Sequence, residues 1–147
     1  LASSVASEKI LLKETKELLE LKRIAANFPE RLITCLKTEY FETARELING
    51  KLLSAAKRAD VFLYESISGR VVRCLMVMAF ALGKKHFPGD KWNELLLLKT
   101  DWKNKRTFLG LLKEHFLFSA NTQEDFIHKR NILCKAFEII DLEIRGK

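Results

Sequence analysis

A chain of 147 residues that is 48% hydrophobic and 31% charged can bury a core, and it is too apolar to be a disordered tract. Only 6 Gly and 2 Pro occur, too few for a protein made of many short strands and turns, so helices are expected. The formal charge of +7 is uneven: residues 84–106 carry 7 basic and 3 acidic side chains, whereas residues 107–147 balance at 6 and 6. A local excess of this kind attracts anions such as phosphate, nucleotide or RNA, although a solvated surface is the plainer reading.

In chain order, Ser7 to Ala26 places Ile10, Leu11, Leu18, Leu21 and Ala25 along one side of a helix, with Glu and Lys opposite. Asn27-Phe28-Pro29 stops it. Pro29 suits the first turn of a second helix, where its missing N–H is not needed, and Glu30 favours the positive end of the helix dipole. That helix is expected to reach about Arg58 through Leu32, Leu36, Tyr40, Ala44, Leu47 and Ile48, with a kink at Asn49-Gly50.

Asp60 is a good N-cap for a third helix and Gly83 a C-cap. Its first half keeps Glu65, Ser66, Ser68, Arg70 and Arg73, and Gly69 offers a close approach to a neighbouring backbone. From Cys74 to Leu82 nothing polar remains, so that half must be covered on every side. Asp90 or Asn93 opens a short helix Glu94–Lys99. A fifth helix is expected from about Asp101 to Phe118, broken or bent near Gly110. Asn121 or Thr122 caps a last helix that presents Phe126, Leu133, Phe137 and Ile140 to the core. The expected fold is all-α: a single helical bundle over residues 1–147, of about five to six helices, with a buried central helix near residues 60–83.

Cys35, Cys74 and Cys134 are far apart, each within an apolar helical pattern, and read as small core residues in a reducing, cytoplasmic setting. The apolar run Cys74–Leu82 is about half the ~20 residues of a membrane span, and Leu1-Ala-Ser-Ser has no secretory-signal pattern, so no membrane partner is expected.

No Gly-rich phosphate loop, His-Glu-x-x-His, Cys-x-x-Cys or nucleophile elbow occurs, so neither a catalytic constellation nor a metal site is expected in this chain. His86 lies in a basic loop, His115 next to Glu114, and His128 beside Lys129-Arg130. Their spacing favours surface or half-buried structural roles. The loop Lys84-Lys85-His86-Phe87-Pro88-Gly89-Asp90-Lys91-Trp92 joins cations that can contact phosphates to aromatics that can stack. Upstream, Tyr64, Glu65, Arg70 and Arg73 share the polar half of the third helix. Glu65 and Arg73 lie two turns apart and could pair, either as a structural ion pair or facing a ligand. Trp92 and Trp102 read as core or loop anchors. The candidate substrate- or phosphate-binding set is therefore Tyr64, Glu65, Arg70, Arg73, Lys84, Lys85, His86, Asp90, Lys91 and Trp92.

The order of these features is similar to a known class. Asn27-Phe28-Pro29-Glu30-Arg31-Leu32, the helix through Ala44-Arg45, Arg58-Ala59-Asp60-Val61, and Arg73 to Leu82 followed by His86-Phe87-Pro88-Gly89-Asp90-Lys91 resemble the C-terminal helical half of nucleotidyltransferase-domain proteins. These belong to the polymerase-β superfamily, aminoglycoside nucleotidyltransferases included. The resemblance covers roughly residues 20–100. It implies a non-catalytic helical domain that completes a substrate cleft or mediates assembly, as the C-terminal part of a longer nucleotidyltransferase protein would. The paired carboxylates, Mg2+ and nucleoside triphosphate would come with a catalytic partner domain, in cis or in trans. No cofactor is implied for this chain itself.

Two other readings remain open. HEPN proteins are small helical bundles, and their ribonucleases place Arg four to six residues before His, a pair missing here. A HEPN-like RNA-binding or toxin–antitoxin or defence protein would contact the RNA backbone through Lys99, Lys103, Lys105 and Arg106. A helical dimerisation module would instead bury the apolar stripe of the first helix in a homodimer.

Overall fold

A computed structural model describes residues 16, 19–21, 23, 27–89 and 93–146. Lys16, Leu19–Leu21 and Arg23 are helical. The rest of the expected Ser7–Ala26 helix, and with it most of its apolar stripe, lies outside the described residues.

The second helix is a rod, α1, over residues 30–57. It is built from α-helical Glu30–Leu36, π-helical Lys37–Phe41, α-helical Glu42–Leu47, π-helical Ile48–Leu52 and α-helical Leu53–Lys57. Pro29 stands just outside as the N-cap, at φ −68° and ψ 129°, rather than in the first turn. The kink expected at Asn49-Gly50 takes the form of the second π turn, while the first has no sequence signal. Wide turns disturb the normal ladder of backbone hydrogen bonds. Here the Ile48 carbonyl accepts from Arg130 Nε at 2.9 Å, and Asn49 Oδ1 accepts from Arg130 Nη2 at 3.2 Å.

The chain then reverses within three residues. The Ala59 amide donates to the Ala56 carbonyl and the Asp60 amide to the Ala55 carbonyl, both at 3.1 Å, with Ala59 left-handed at φ 51°. This is the Schellman arrangement, occupied by alanine instead of the usual glycine. Asp60 closes one helix and opens the next: its Oδ1 accepts from the Leu63 amide at 3.1 Å. Helix α2, Val61–Leu82, runs back antiparallel to α1, and every residue from Cys74 to Leu82 is buried. It is the spine of the bundle, as its composition requires.

The close approach expected at Gly69 occurs at Gly83 instead. Gly69 is exposed, and a Cβ there would meet nothing within 4 Å, so it provides no close approach. At Gly83 a Cβ would lie 2.6 Å from Thr100 Cβ, so this is where another segment crosses the helix backbone. Gly83 does cap α2, but at φ −79°, and the left-handed residue is Lys84 at φ 53°. Lys84 N–H donates to Ala81 O and Lys85 N–H to Phe80 O, both at 2.9 Å, a second Schellman closure.

Helix α3 spans Asn93–Leu98 and α4 spans Lys105–Leu117. The latter starts later than the expected Asp101, because Trp102 is 4% exposed and packs on Phe108 with ring centroids 5.3 Å apart, which holds residues 101–104 in a turn. It continues unbroken through Gly110, which is exposed and in open space. Thr122 opens the last helix, α5 (Gln123–Arg145), with a capping box: Asp125 N–H donates to Thr122 Oγ1 at 3.2 Å, and Thr122 N–H to Asp125 Oδ2 at 2.8 Å.

Helix α5 lies antiparallel to α1, with Arg130 at Ile48 and Phe137 stacked on Phe41 at 4.4 Å. It is antiparallel to α4 as well, since Asn104 Nδ2 donates to Glu143 Oε1 near one end and His115 meets the Lys129 carbonyl near the other. Phe126, Leu133 and Ile140 enter the core, and Phe137 packs at its edge. Cys74 is buried and Cys134 half-buried, but Cys35 is exposed, because the first segment of α1 buries no residue. The fold is an all-α bundle; among the described residues no strand occurs, and no helix is long and apolar enough to cross a membrane.

Candidate functional site

The expected site residues do not form one site. Tyr64 and Glu65 stand near the start of α2, and the loop at 84–89 follows its end, so the two groups are separated by roughly 30 Å of helix at 1.5 Å rise per residue. Arg70 is exposed between them. Asp90, Lys91 and Trp92 lie outside the described residues.

The first group is an interior polar cluster. Tyr64 and His115 are both 0% exposed, with rings stacked at 6.2 Å, and Phe126 tilts against Tyr64 at 5.0 Å. The Lys129 ammonium is 5.8 Å from the Tyr64 ring centroid and donates to Glu65 Oε1 at 2.7 Å. The expected partnership of Glu65 with Arg73 is therefore replaced by one with Lys129, supplied by α5. Arg73 turns the other way, its guanidinium 5.8 Å from the Phe87 ring centroid.

His115 is also corrected, from half-buried to fully enclosed. Its Nδ1 lies 3.1 Å from the Lys129 carbonyl oxygen. A carbonyl can only accept, so Nδ1 carries the proton, and in the neutral ring Nε2 is left as an acceptor. Neither Nε2 nor the Tyr64 hydroxyl finds a hydrogen-bond partner among the described residues. Burial pushes the Tyr64 hydroxyl far above its ordinary value, so it stays protonated. Burial also lowers the His115 pKa, aided by the nearby Lys129 charge. The Lys129 carbonyl bond and Glu65 oppose that shift.

That balance sets a pH dependence. The unfolded chain takes up a proton at His115 below about pH 6.5, whereas the folded one resists it, so stability falls as pH drops through that range. Urea unfolding of the native chain is expected to lose up to about 1 kcal/mol per pH unit between roughly pH 6.5 and the lowered folded value. His115→Gln should flatten that part of the profile. An unchanged slope would mean that His115 is protonated equally in both states.

The second group is the loop after α2. Phe87 packs edge-on against Phe80 at 5.8 Å, His86 tilts against Phe28 at 5.2 Å, and Arg73 covers Phe87. The aromatic groups thus hold the loop to the bundle, while Lys84 and Lys85 are exposed. Lys84 Nζ lies 3.7 Å from Glu30 Oε1, and both side chains are largely in water, so that pair contributes little. Among the described residues of the loop, Lys84 and Lys85 place fixed positive charge at the surface. No group of three or more His, Cys, Asp or Glu among the described residues could hold a metal ion.

Lys129 and His115 had a sequence signal. Phe126, Lys129, Leu133, Ala136 and Ile140 recur at intervals of three and four, as do Phe108, Leu112 and His115. A polar residue on such a stripe is either paired or costly. What the stripe cannot name is the partner, because Glu65 comes from a distant part of the chain. No curated protein and no solved structure matches the chain. Residues 1–93 match the family described as a domain of unknown function (DUF4037), and the chain belongs to that family.

Proposed function

We propose that this chain is a helical, non-catalytic domain of the nucleotidyltransferase-associated type. Its basic loop would face a phosphorylated ligand or the catalytic partner that brings Mg2+ and the nucleoside triphosphate. The reading rests on the similarity of residues 20–100 to the helical half of those proteins. It is supported by one observation: the loop is pinned by Phe87 and His86, so Lys84 and Lys85 are held out at the end of the buried spine. A pinned loop loses little conformational entropy when it takes up an anion.

The test is to titrate the whole chain with each nucleoside triphosphate in the presence of Mg2+, and to identify native partners by mass spectrometry. Saturable triphosphate binding that weakens several-fold in Lys85→Gln, or a nucleotidyltransferase as a stoichiometric partner, supports the reading. Absence of both overturns it.

A further inference from the structure

The two cationic stretches of the sequence, at 84–85 and 99–106, lie apart in the chain but adjoin in space. Gly83 is the junction. Thr100 crosses directly over its Cα, where an added Cβ would be 2.6 Å from Thr100 Cβ, and Lys84 follows at once on one strand of the crossing while Lys99 precedes on the other. The turn carrying the second stretch is fixed on several sides. Thr100 N–H donates to the Leu97 carbonyl at 3.0 Å and its Oγ1 does so at 2.8 Å. Trp102 is buried against Phe108, and Lys105 Nζ donates to the Thr100 carbonyl. One end of the bundle therefore presents Lys84, Lys85, Lys99, Lys103 and Arg106, all exposed. Among the described residues, Glu30 near Lys84, Asp101 in the second stretch and Glu143, which accepts from Asn104, are the acidic side chains that these contacts and stretches bring in. Among the described residues no acidic side chain forms an ion pair with Lys85, Lys99, Lys103 or Arg106.

We propose that this end of the bundle is a nucleic-acid binding face that tracks the phosphate backbone of single-stranded RNA. A repeating polyanion matches the arrangement better than a single phosphate, because the cations come from two segments and face outward instead of converging on one pocket. None of the large apolar side chains exposed among the described residues falls within 84–89 or 99–106. A membrane-inserting surface would need such groups, and so would the core of a protein–protein interface. Backbone contact needs only placed charge. The fixed turn supplies the placement.

RNA binding is separable from nucleotide binding: a chain that binds RNA, takes up no triphosphate and recruits no nucleotidyltransferase keeps this inference and loses the other, and a chain that binds a triphosphate and no RNA does the opposite. The experiment uses the whole chain and a fluorescently labelled oligouridylate, read by anisotropy from about 50 to 200 mM KCl. With about four phosphates neutralised, the slope of log K against log salt is near −3, and affinity falls roughly fifty-fold across that range. Lys85→Gln, from one segment, and Lys99→Gln or Arg106→Gln, from the other, are each expected to reduce the slope by about 0.7. All are exposed positions, and circular dichroism checks that each variant is folded. Absence of binding at 50 mM salt overturns the proposal. So does a slope that responds to variants of one segment only, because the face is then not joint, and so does binding to phosphatidylserine vesicles in preference to RNA.

Discussion

Replacing Gly83 by alanine should destabilise the protein by about 2 kcal/mol, although the same change at an open helix terminus would be neutral or stabilising. Gly83 has φ −79°, which alanine adopts freely, so backbone strain is not the reason. The cost is steric: the new methyl would stand 2.6 Å from Thr100 Cβ, 2.8 Å from Oγ1 and 2.9 Å from Cγ2. Thr100 cannot simply rotate away. Its Cβ is part of the clash, it is 2% exposed, and its hydroxyl is committed to the Leu97 carbonyl. Urea unfolding would measure the effect. A double-mutant cycle with Thr100→Gly should show the pair to be less destabilised than the sum of the single changes. Strict additivity, or a stabilised Gly83→Ala, would refute the close crossing. Because that crossing joins the two basic stretches, Gly83→Ala should also weaken RNA binding without removing a charge.

The interior ion pair should respond asymmetrically to its two truncations. The Lys129 side chain is 7% exposed and that of Glu65 46%, so the pair is open to water mainly on its carboxylate side. Glu65→Ala strands a buried cation and is expected to cost about 2 kcal/mol, below the usual range for a fully buried pair because water can follow into the gap. Lys129→Met removes the charge, keeps most of the volume, and leaves Glu65 at the surface, so its cost should stay within about 1 kcal/mol. Equilibrium denaturation of both variants decides the matter. Equal losses would mean that the pair contributes as an exposed salt bridge, and that the cluster does not fix how α5 sits on α2.

Much of the architecture was legible from local pattern. The run Cys74–Leu82 contains no polar side chain, and a helix of that kind has nowhere to be except the middle. Asp60 and Thr122 mark helix starts because their short oxygen-bearing side chains satisfy amides that the helix leaves unpaired. Less legible were features where a single residue type supports two roles. Gly83 and Gly69 look alike in sequence, and only the neighbouring segment decides which is crossed. Gly110 is tolerated inside a helix because the packing of Phe108, Leu109 and Leu112 outweighs its poor propensity. The turn around Trp102 shortens α4 because burying an indole is worth more than four further helical residues. The first π turn in α1 has no residue that announces it.

Among the described residues, the sequence alone determined which segments are largely helical, which helix is central and where positive charge accumulates. These follow from the 3.6-residue period, from capping chemistry and from the exclusion of apolar surface from water, all readable over a few turns. Tertiary structure decided which distant residues meet: Glu65 with Lys129, Arg73 with Phe87, and Gly83 with Thr100. It thereby divided one expected site into a buried polar cluster and an exposed basic end. The reason is geometric, since helix periodicity fixes the face on which a side chain stands, but only the packing of whole helices fixes what stands opposite.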